Sequence, residues 1–459
     1  MVPFGKKIAY AAPAYALAII GIPVYVYIPK FYTDVVGINV ILIGYILFSV
    51  RLFDAFTDPV IGYLSDRTQT RFGRRRPFIL VGSVFTAIMM ILLFNPPQAS
   101  PSSETLWFGV FIYALFLFWT IVTVPYESLG PEITFDYNER ISLFAMRDGF
   151  LIAGTLAAAS TPALIQWFFG LSGDAGDERT KFFWISMLYT PLLIATAAWC
   201  VTAIRELHPK ENSNAGLFKG IHLTIKNRPF IILLVAYTIS AIGNNLPATL
   251  ILFYVEYVLQ SDAADFFLLL YFLTGIVFLP GWIYVARRTG KKRAWLFSMA
   301  INSGAFVLVF FLGPGDTTLY GILVFFSGVG FGAALAIPSA IQADVIDYDE
   351  FLTGERREGQ YIGLWSIAKK LAAAFGVGMG LFILGIAGYT PNVDQTPTVI
   401  LVLRILYALV PSVCNLVALV TAMAYPINET IHTDIKAAIV KRRAGETVED
   451  PLKAIGRPV

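Results

Sequence analysis

Long apolar stretches alternate with short polar connections along nearly the whole chain. A helix needs about twenty apolar residues to cross a bilayer core, and the pattern predicts twelve such spans. Their approximate limits are 9–31, 39–63, 78–95, 105–127, 141–168, 181–204, 229–258, 264–286, 294–313, 318–343, 359–388 and 399–425. The sequence therefore predicts an all-α membrane protein with twelve transmembrane helices.

The composition agrees with this prediction. Of the 459 residues, 57% are hydrophobic and only 14% are charged, with a mean hydropathy of +0.68. Ordinary globular domains carry about a quarter charged residues, so a soluble protein with an apolar core is the weaker interpretation. The basic clusters lie in short connections between apolar spans, which argues against nucleic acid as a partner.

Cysteine and histidine are too few and too scattered to carry chemistry. Cys200 and Cys414 lie in apolar segments half a chain apart, and the three histidines fall in polar segments. Neither a disulfide framework nor a zinc site follows from this spacing. We therefore expect no cofactor and no enzymatic activity. A coupling cation is the only bound ion that we expect.

The distribution of Lys and Arg predicts the orientation. The connections 64–77, 205–228 and 287–293 and the segment 426–459 are basic, whereas 96–104, 259–263, 314–317 and 389–398 contain no Lys or Arg. Basic connections stay on the cytoplasmic side. An even number of spans with both termini cytoplasmic, in a bacterial inner membrane, satisfies this pattern.

Two sequence patterns recur in the second half of the chain. RFGRRRPF (71–78) matches RTGKKRAW (288–295), and PEITFDYNER (131–140) matches ADVIDYDEF (343–351). We predict two parallel six-helix pseudo-repeats, the architecture of major facilitator transporters. The predicted divisions are a first half at 1–204, a cytoplasmic linker at 205–228, a second half at 229–425 and a cytoplasmic tail at 426–459.

Charged residues at the ends of the predicted helices have two interpretations. Simple positive-inside anchoring explains the arginines of the 64–77 connection. It does not explain the acids beside them or the matching cluster in the second half. The alternative is a gate in which these ends pair across the two halves. The candidate gating residues on this interpretation are Asp66, Arg67, Arg74, Asp344 and Asp347.

Two carboxylates inside the second span suggest a cation site. Asp54 and Asp58 are four residues apart and share one helix face. A carboxylate in hydrocarbon is costly unless it is paired, protonated or bound to a cation. Oxygen ligands suit Na⁺, and one neutral acid would suit a proton instead. The alternative is a structural ion pair between Arg51 and Asp54, which leaves Asp58 unexplained.

Polar residues on spans four and five are candidates for binding a solute. Thr120, Thr123 and Glu127 share one helix face by their spacing. Arg147 lies near the start of span five, where it could instead reach the membrane surface. Each of these residues is polar and lies in a predicted span that is otherwise mostly apolar.

Further candidates lie on spans one, seven and eleven. Lys369 and Lys370 differ by about 100° around a helix, so we expect one of them to face a cavity. Tyr25 and Trp365 are candidate cavity-wall aromatics, although simple packing would also explain them. Glu256 lies near the outer mouth, where placement at the membrane interface is the simpler interpretation.

The chain resembles the glycoside–pentoside–hexuronide:cation symporters, the melibiose permease-like branch of the major facilitator superfamily. The resemblance covers nearly the whole chain and rests on FYTDVVG (31–37), RLFDAFTDP (51–59), VPYESL (124–129), ADVIDYDEF (343–351) and AKK (368–370). Parts of the chain are also similar to plant sucrose transporters and to the vertebrate lysophospholipid symporter.

The resemblance implies roles for individual residues. The implied cation-binding residues are Asp54, Asp58 and Thr120. Lys370 corresponds to the lysine that couples the cation and substrate sites. Arg147 corresponds to the arginine that holds sugar hydroxyls, and Arg140 to a cytoplasmic gating arginine.

Three departures from melibiose permease concern the sugar. Its two galactoside-anchoring acids correspond to about Ala18 and Thr123, and its sugar-stacking tryptophan corresponds to Glu127. The resemblance therefore implies intact cation machinery without the galactoside anchors. Melibiose is not the expected substrate, and another glycoside, a uronide or an amphiphile stays open.

Together these observations predict a monomeric secondary transporter that couples Na⁺ or H⁺ to uptake of a sugar or glycoside by alternating access. The substrate-binding candidates are Thr123, Glu127, Arg147, Lys370, Tyr25 and Trp365. The alternative is a lysophospholipid or amphiphile symporter or flippase. A non-transporting receptor or a membrane-embedded enzyme is a third class, which the repeated gating sequences and the lack of a nucleophile–base pair disfavour.

Overall fold

The computed structural model describes residues 2–68, 70–98, 100–134, 137–171, 175–204, 224, 227–354, 358–444, 446 and 448–452. These residues form helices and connections, and no strand occurs among them. The helices are α1 Phe4–Val35, α2 Val40–Arg67, α3 Arg76–Phe94, α4 Pro101–Ile133, α5 Tyr137–Phe169, α6 Ala175–Ala203, α7 Arg228–Val258, α8 Ala264–Thr289, α9 Lys291–Val309, α10 Thr317–Thr353, α11 Glu358–Ile386, α12 Pro397–Met423 and α13 Glu429–Arg443.

Helices α1 to α12 occupy the positions of the twelve predicted spans. Eleven helices of the described chain are long and apolar enough to cross a membrane. The twelfth, α9, has 19 residues, as α3 has, but it begins with the charged residues Lys291, Lys292 and Arg293. Several helices extend beyond the apolar run. The largest extension is in α10, which continues through polar last turns to Thr353.

The helix ends follow from local chemistry. The side chains of Asn39, Ser100 and Asn428 accept backbone N–H bonds at the starts of α2, α4 and α13, which satisfies donors that a helix leaves unpaired. Gly354 ends α10 with a φ of 77°. A residue with a side chain would be strained in this left-handed conformation.

Wider π-helical turns interrupt three of the long helices. They cover Pro23–Tyr27 and Phe31–Val35 in α1, Tyr254–Val258 in α7 and Ile405–Leu409 in α12. Such turns are uncommon and often occur at functional sites.

The described chain divides into two compact units. Unit 1 comprises Met1–Asn212, Ala248–Leu269 and Val377–Leu403, and unit 2 comprises Ser213–Pro247, Leu270–Gly376 and Arg404–Val459. This division does not test the predicted halves and linker, which stay a prediction. Most of the predicted linker, residues 205–223, lies outside the described residues.

In unit 1, α1 packs against α5 and α6, and α3 packs against α4. Glycines permit the closest approaches. A Cβ added to Gly154 would lie 2.4 Å from the carbonyl oxygen of Tyr15, and one added to Gly82 would lie 2.8 Å from Val122. These glycines bring the helices that carry the candidate site residues together.

In unit 2, the segment after α12 contains a helix that the sequence analysis did not predict. Helix α13 packs against α10 and buries Ile431, Ile435 and Ala438 in the core of the unit. Leu452 is buried in the same core. The predicted tail is therefore partly a packed element of the fold.

Candidate functional site

Three predicted cation ligands meet in unit 1. The hydroxyl of Thr120 on α4 lies 2.7 Å from Oδ1 of Asp54 and 3.1 Å from Oδ1 of Asp58, both on α2. Thr120 is fully buried and Asp54 is 4% exposed. One hydroxyl carries one hydrogen, so it can donate fully to only one carboxylate at a time. The structure thus gathers at least three oxygens at one point inside the apolar part of two helices.

The local sequence of α2 explains this arrangement. A spacing of four residues stacks the two carboxylates on the face of α2 that packs against α4. Pro59 follows Asp58 and has no N–H, so the carbonyl of Ala55 lacks its usual helical donor. The hydroxyl of Thr57 donates to the carbonyl of Asp54 at 3.2 Å. This turn therefore has more oxygen atoms than N–H donors, a composition that favours a hard cation.

A fixed positive charge lies one turn before the acid pair. The guanidinium of Arg51 is buried, with its central carbon 4.1 Å from the ring centroid of Tyr25 and 4.5 Å from that of Phe116. Such cation–π contacts hold a guanidinium in place. Tyr25, predicted as a cavity-wall aromatic, therefore lies beside the cation site and contacts Arg51.

The solute candidates on α4 and α5 form a second polar group in unit 1. Arg147 donates to Oδ1 of Asp148 at 2.8 and 2.9 Å, and Glu127 lies within electrostatic range of Arg147. The hydroxyl of Thr123 donates to the carbonyl of Trp119 at 3.0 Å. Arg147 is thus paired with Asp148, and Glu127 is a second charged group near it.

The helix packing is consistent with the absence of a galactoside anchor at position 18. A Cβ added to Gly154 on α5 would lie 2.9 Å from the Cβ of Ala18. Ala18 therefore faces α5 at a close helix crossing. A larger acidic side chain there would force the two helices apart.

The remaining solute candidates belong to unit 2. Trp365 stacks on Tyr237, with ring centroids 4.0 Å apart and an interplanar angle of 29°. Lys370 is half-buried whereas Lys369 is exposed, so Lys370 is the better candidate for an interior role. Both assignments stay predictions.

The predicted gating acids contact basic residues of their own unit. Asp344 accepts bonds from Nζ of Lys291 at 2.6 and 2.8 Å. Nε2 of His432, on α13, lies 3.0 Å from Asp347 and 3.3 Å from Asp344. Sequence reasoning missed His432, because nothing in the local pattern placed α13 beside α10.

The basic gating candidates belong to unit 1. The guanidinium carbon of Arg67 lies 4.2 Å from the ring centroid of Tyr63, and Arg74 is half-buried. The side chains of Asp66 and Arg140 lie outside the described residues. A gate formed by the helix ends that carry these residues stays a prediction.

Glu256, predicted near the outer mouth, has an ionic partner on another helix. Its carboxylate forms an ion pair with Lys30 of α1, inside unit 1. Lys30 also pairs with Asp34. No role was predicted for Lys30 or Asp34, although Asp34 lies in the motif FYTDVVG.

These features define the class of protein. Long apolar helices with charged groups gathered inside unit 1 describe a multi-pass membrane protein. The chain belongs to the MFS/sugar transport protein family, whose model matches residues 9–429. This confirms the predicted fold class and the predicted glycoside–pentoside–hexuronide family.

Relatives with assigned names agree with the family. The chain is 29% identical over 424 residues to a glucuronide carrier protein homologue of Escherichia coli, covering 90% of each. It is 25% identical over 460 residues to an isoprimeverose transporter of Lactiplantibacillus pentosus, covering 97% of this chain and 93% of that protein. These names favour the sugar interpretation over the lysophospholipid alternative.

A solved structure supports the fold. The crystal structure of a bacterial homologue of the human lysosomal transporter Spinster, in an inward-facing and unoccupied conformation, has a TM-score of 0.67 and 14% identity. The comparison covers 96% of this chain and 98% of that one. At this identity the similarity concerns the fold alone.

Proposed function

We propose that the protein is a secondary active transporter that couples Na⁺ or H⁺ to movement of a sugar or glycoside by alternating access. The observation that carries the proposal is the group of three oxygens formed by Asp54, Asp58 and Thr120 in a sugar transporter family. Bilayer-embedded carboxylates of this kind are functional by default.

Electrostatics explains why this group would bind a cation. The two carboxylates approach the same hydroxyl oxygen. Like charges about 5 Å apart repel by roughly 3 kcal/mol at an effective dielectric constant near 20. A bound Na⁺, or a proton on one acid, removes this repulsion. Cation binding would therefore stabilise this part of α2 and α4.

We propose that the solute is a hydroxylated sugar other than melibiose. Arg147 and Glu127 supply donors and acceptors for sugar hydroxyls, with Thr123 on the same face of α4. Tyr25, Trp365 and Lys370 complete the set of candidates. The names of two relatives, a glucuronide carrier protein homologue and an isoprimeverose transporter, support this class.

Coupling would then follow from linkage. If the cation and the sugar stabilise the same state, each raises the affinity for the other by the same factor. Asp344 pairs with Lys291 and with His432. These pairs would change when the helix ends that carry them separate. We further propose that the protein acts as a monomer in a bacterial inner membrane, with both termini cytoplasmic.

A thermal-shift experiment tests this function. The purified protein is heated with a panel of sugars, glycosides and uronides, with and without Na⁺ and at two pH values. Binding to the folded state raises Tm by mass action, so we expect one sugar class to stabilise the protein more when the coupling cation is present. Asp58→Asn should lose this cation-dependent stabilisation. Asp394→Asn, the same change at an exposed acid, is the matched control and should keep it. Equal Tm values for the parent protein under every condition would contradict the proposal.

A further inference from the structure

A polar cluster connects α1, α7 and the connection after α11. It lies at the far end of unit 1, defined as the end where α1 finishes and α2 begins. We name it the Asp34 cluster, and its members are Lys30, Asp34, Glu256, Tyr257, Tyr389 and Asn392. All six belong to unit 1.

Asp34 is the centre of this cluster. Its side chain is 3% exposed and lies 2.8 Å from Nζ of Lys30. Tyr389 donates to Oδ1 at 2.6 Å and Tyr257 donates to Oδ2 at 3.0 Å. Hydrogen bonds to a charged group are about twice as strong as neutral ones. One carboxylate on α1 therefore binds directly to α7 and to the connection after α11.

A second set of bonds connects the same three segments. Lys30 also pairs with Glu256 on α7. The amide Nδ2 of Asn392 donates to the carbonyl of Asp34 at 2.6 Å, and its backbone N–H donates to the hydroxyl of Tyr257 at 3.1 Å. Burial, followed by the charge of Asp34, raises the pKa of Tyr389 far above its usual value. Tyr389 therefore keeps the proton that it donates.

The sequence repeats the cluster's two acids in corresponding places. Residues 31–34 read Phe-Tyr-Thr-Asp at the end of α1, and residues 253–256 read Phe-Tyr-Val-Glu at the end of α7. Both acids lie in π-helical turns, Phe31–Val35 and Tyr254–Val258. Asp34 and Glu256 thus occupy equivalent positions, and Lys30 pairs with both.

A close helix contact accompanies the cluster. Near the far end, α2 and α11 approach so closely that a Cβ added to Gly378 would lie 2.6 Å from Phe48, and one added to Gly385 would lie 2.3 Å from Ile41. The cluster borders a cavity of about 280 Å³, since Lys30, Asp34, Glu256 and Asn392 line it together with Leu252 and other residues of unit 1.

We propose that the Asp34 cluster is the gate that closes the far end of the transport path, with Asp34 as its gating residue. Opening this end requires α1 to separate from α7 and from the connection that carries Tyr389. The bonds of Asp34 then have to break once in each transport cycle. The proposal rests on the proposed function only in requiring that the protein transports. It does not depend on the cation or the sugar.

Cysteine accessibility tests the gate. Leu252→Cys, in a background with Cys200 and Cys414 changed to serine, places a thiol in the buried wall of the cavity. In membranes, a bilayer-impermeant maleimide should label this thiol slowly. We expect Asp34→Asn, and separately the double change Tyr257→Phe with Tyr389→Phe, to raise the labelling rate about tenfold or more, which corresponds to about 1.4 kcal/mol.

Tyr32→Phe is the matched control. Its hydroxyl also lies in the Phe31–Val35 turn, but it donates to the carbonyl of Leu93 on α3 at 2.6 Å. We expect its labelling rate to equal that of the parent. An unchanged rate in the folded tyrosine double variant would overturn the proposal, even if Asp34→Asn failed to fold. The assay contains no sugar, so its failure would leave the proposed symport untouched.

Discussion

Replacing Thr120 by valine should weaken cation binding while keeping the shape of the site. Valine preserves the branched side chain and removes the hydroxyl that lies between Asp54 and Asp58. A hydrogen bond to a charged group contributes about 1.5–3 kcal/mol. If the cation takes the hydroxyl oxygen as a ligand, a comparable loss lowers its affinity roughly 10- to 150-fold.

The assay is a titration of the purified protein with Na⁺ at several fixed pH values, followed by Tm or by calorimetry. A Na⁺-coupled protein should show the shifted Na⁺ midpoint, and an H⁺-coupled protein should show a shifted pH midpoint instead. Thr105→Val is the matched control, since Thr105 also lies on α4 but bonds to the carbonyl of Pro101 in its own helix. If Thr120→Val binds both cations as the parent does, the hydroxyl is no part of the site.

Three further predictions concern stability and folding. Gly82→Val should lower Tm, because the added atoms meet Val122 at the crossing of α3 and α4, and overpacking costs about 1–3 kcal/mol. Ile435→Ala should release α13 to limited proteolysis, since truncating a buried isoleucine costs about 2–5 kcal/mol. A hydrogen bond from Lys7 lowers the pKa of the Glu139 carboxyl. The contact therefore stabilises the fold above the pKa that this acid has in the unfolded chain, and the stability is lost as the pH falls through the lowered pKa. N-terminal proteolysis should increase over that acidic range.

Each of these predictions has a control in the same chain. A Cβ on Gly149 would meet nothing within 4 Å, so Gly149→Ala should not clash with its surroundings. Val440 is exposed on α13, so Val440→Ala should leave proteolysis unchanged. Lys7→Met should reduce the pH dependence at Glu139, where the backbone N–H of Val2 still donates. If a variant and its control behave alike in the assay, the contact named for that variant does not have the predicted effect.

The apolar spans and the acid pair could be predicted because they depend on local sequence. Twenty apolar residues specify a span, and a spacing of four places Asp54 and Asp58 on one face without knowledge of the other helices. Predicting Thr120 required more than the local sequence, because only a family resemblance indicated which polar residue of α4 would meet Asp54 and Asp58. The structure brings these three residues together.

Contacts between elements distant in sequence could not be predicted in the same way. Asp34 is bonded to Tyr389, 355 positions later, and no pattern along the chain specifies that pairing. Helix α13 did leave a signal, namely an Asn428 cap followed by Ile431 and Ile435 at helical spacing. The basic composition of the segment suggested an exposed tail instead. Its burial depends on α10, whose polar end was predicted to be a connection.

The most direct test of the central claim is gradient-driven uptake into proteoliposomes. The sugar that gives the largest Tm shift is offered with an inward gradient of Na⁺ or of H⁺, using the parent protein, Asp54→Asn and Asp58→Asn. We predict that the parent accumulates the sugar only with one of the two gradients, and that both variants lose accumulation. Accumulation by both folded variants at the parent level would contradict the assignment of Asp54 and Asp58 as the cation site.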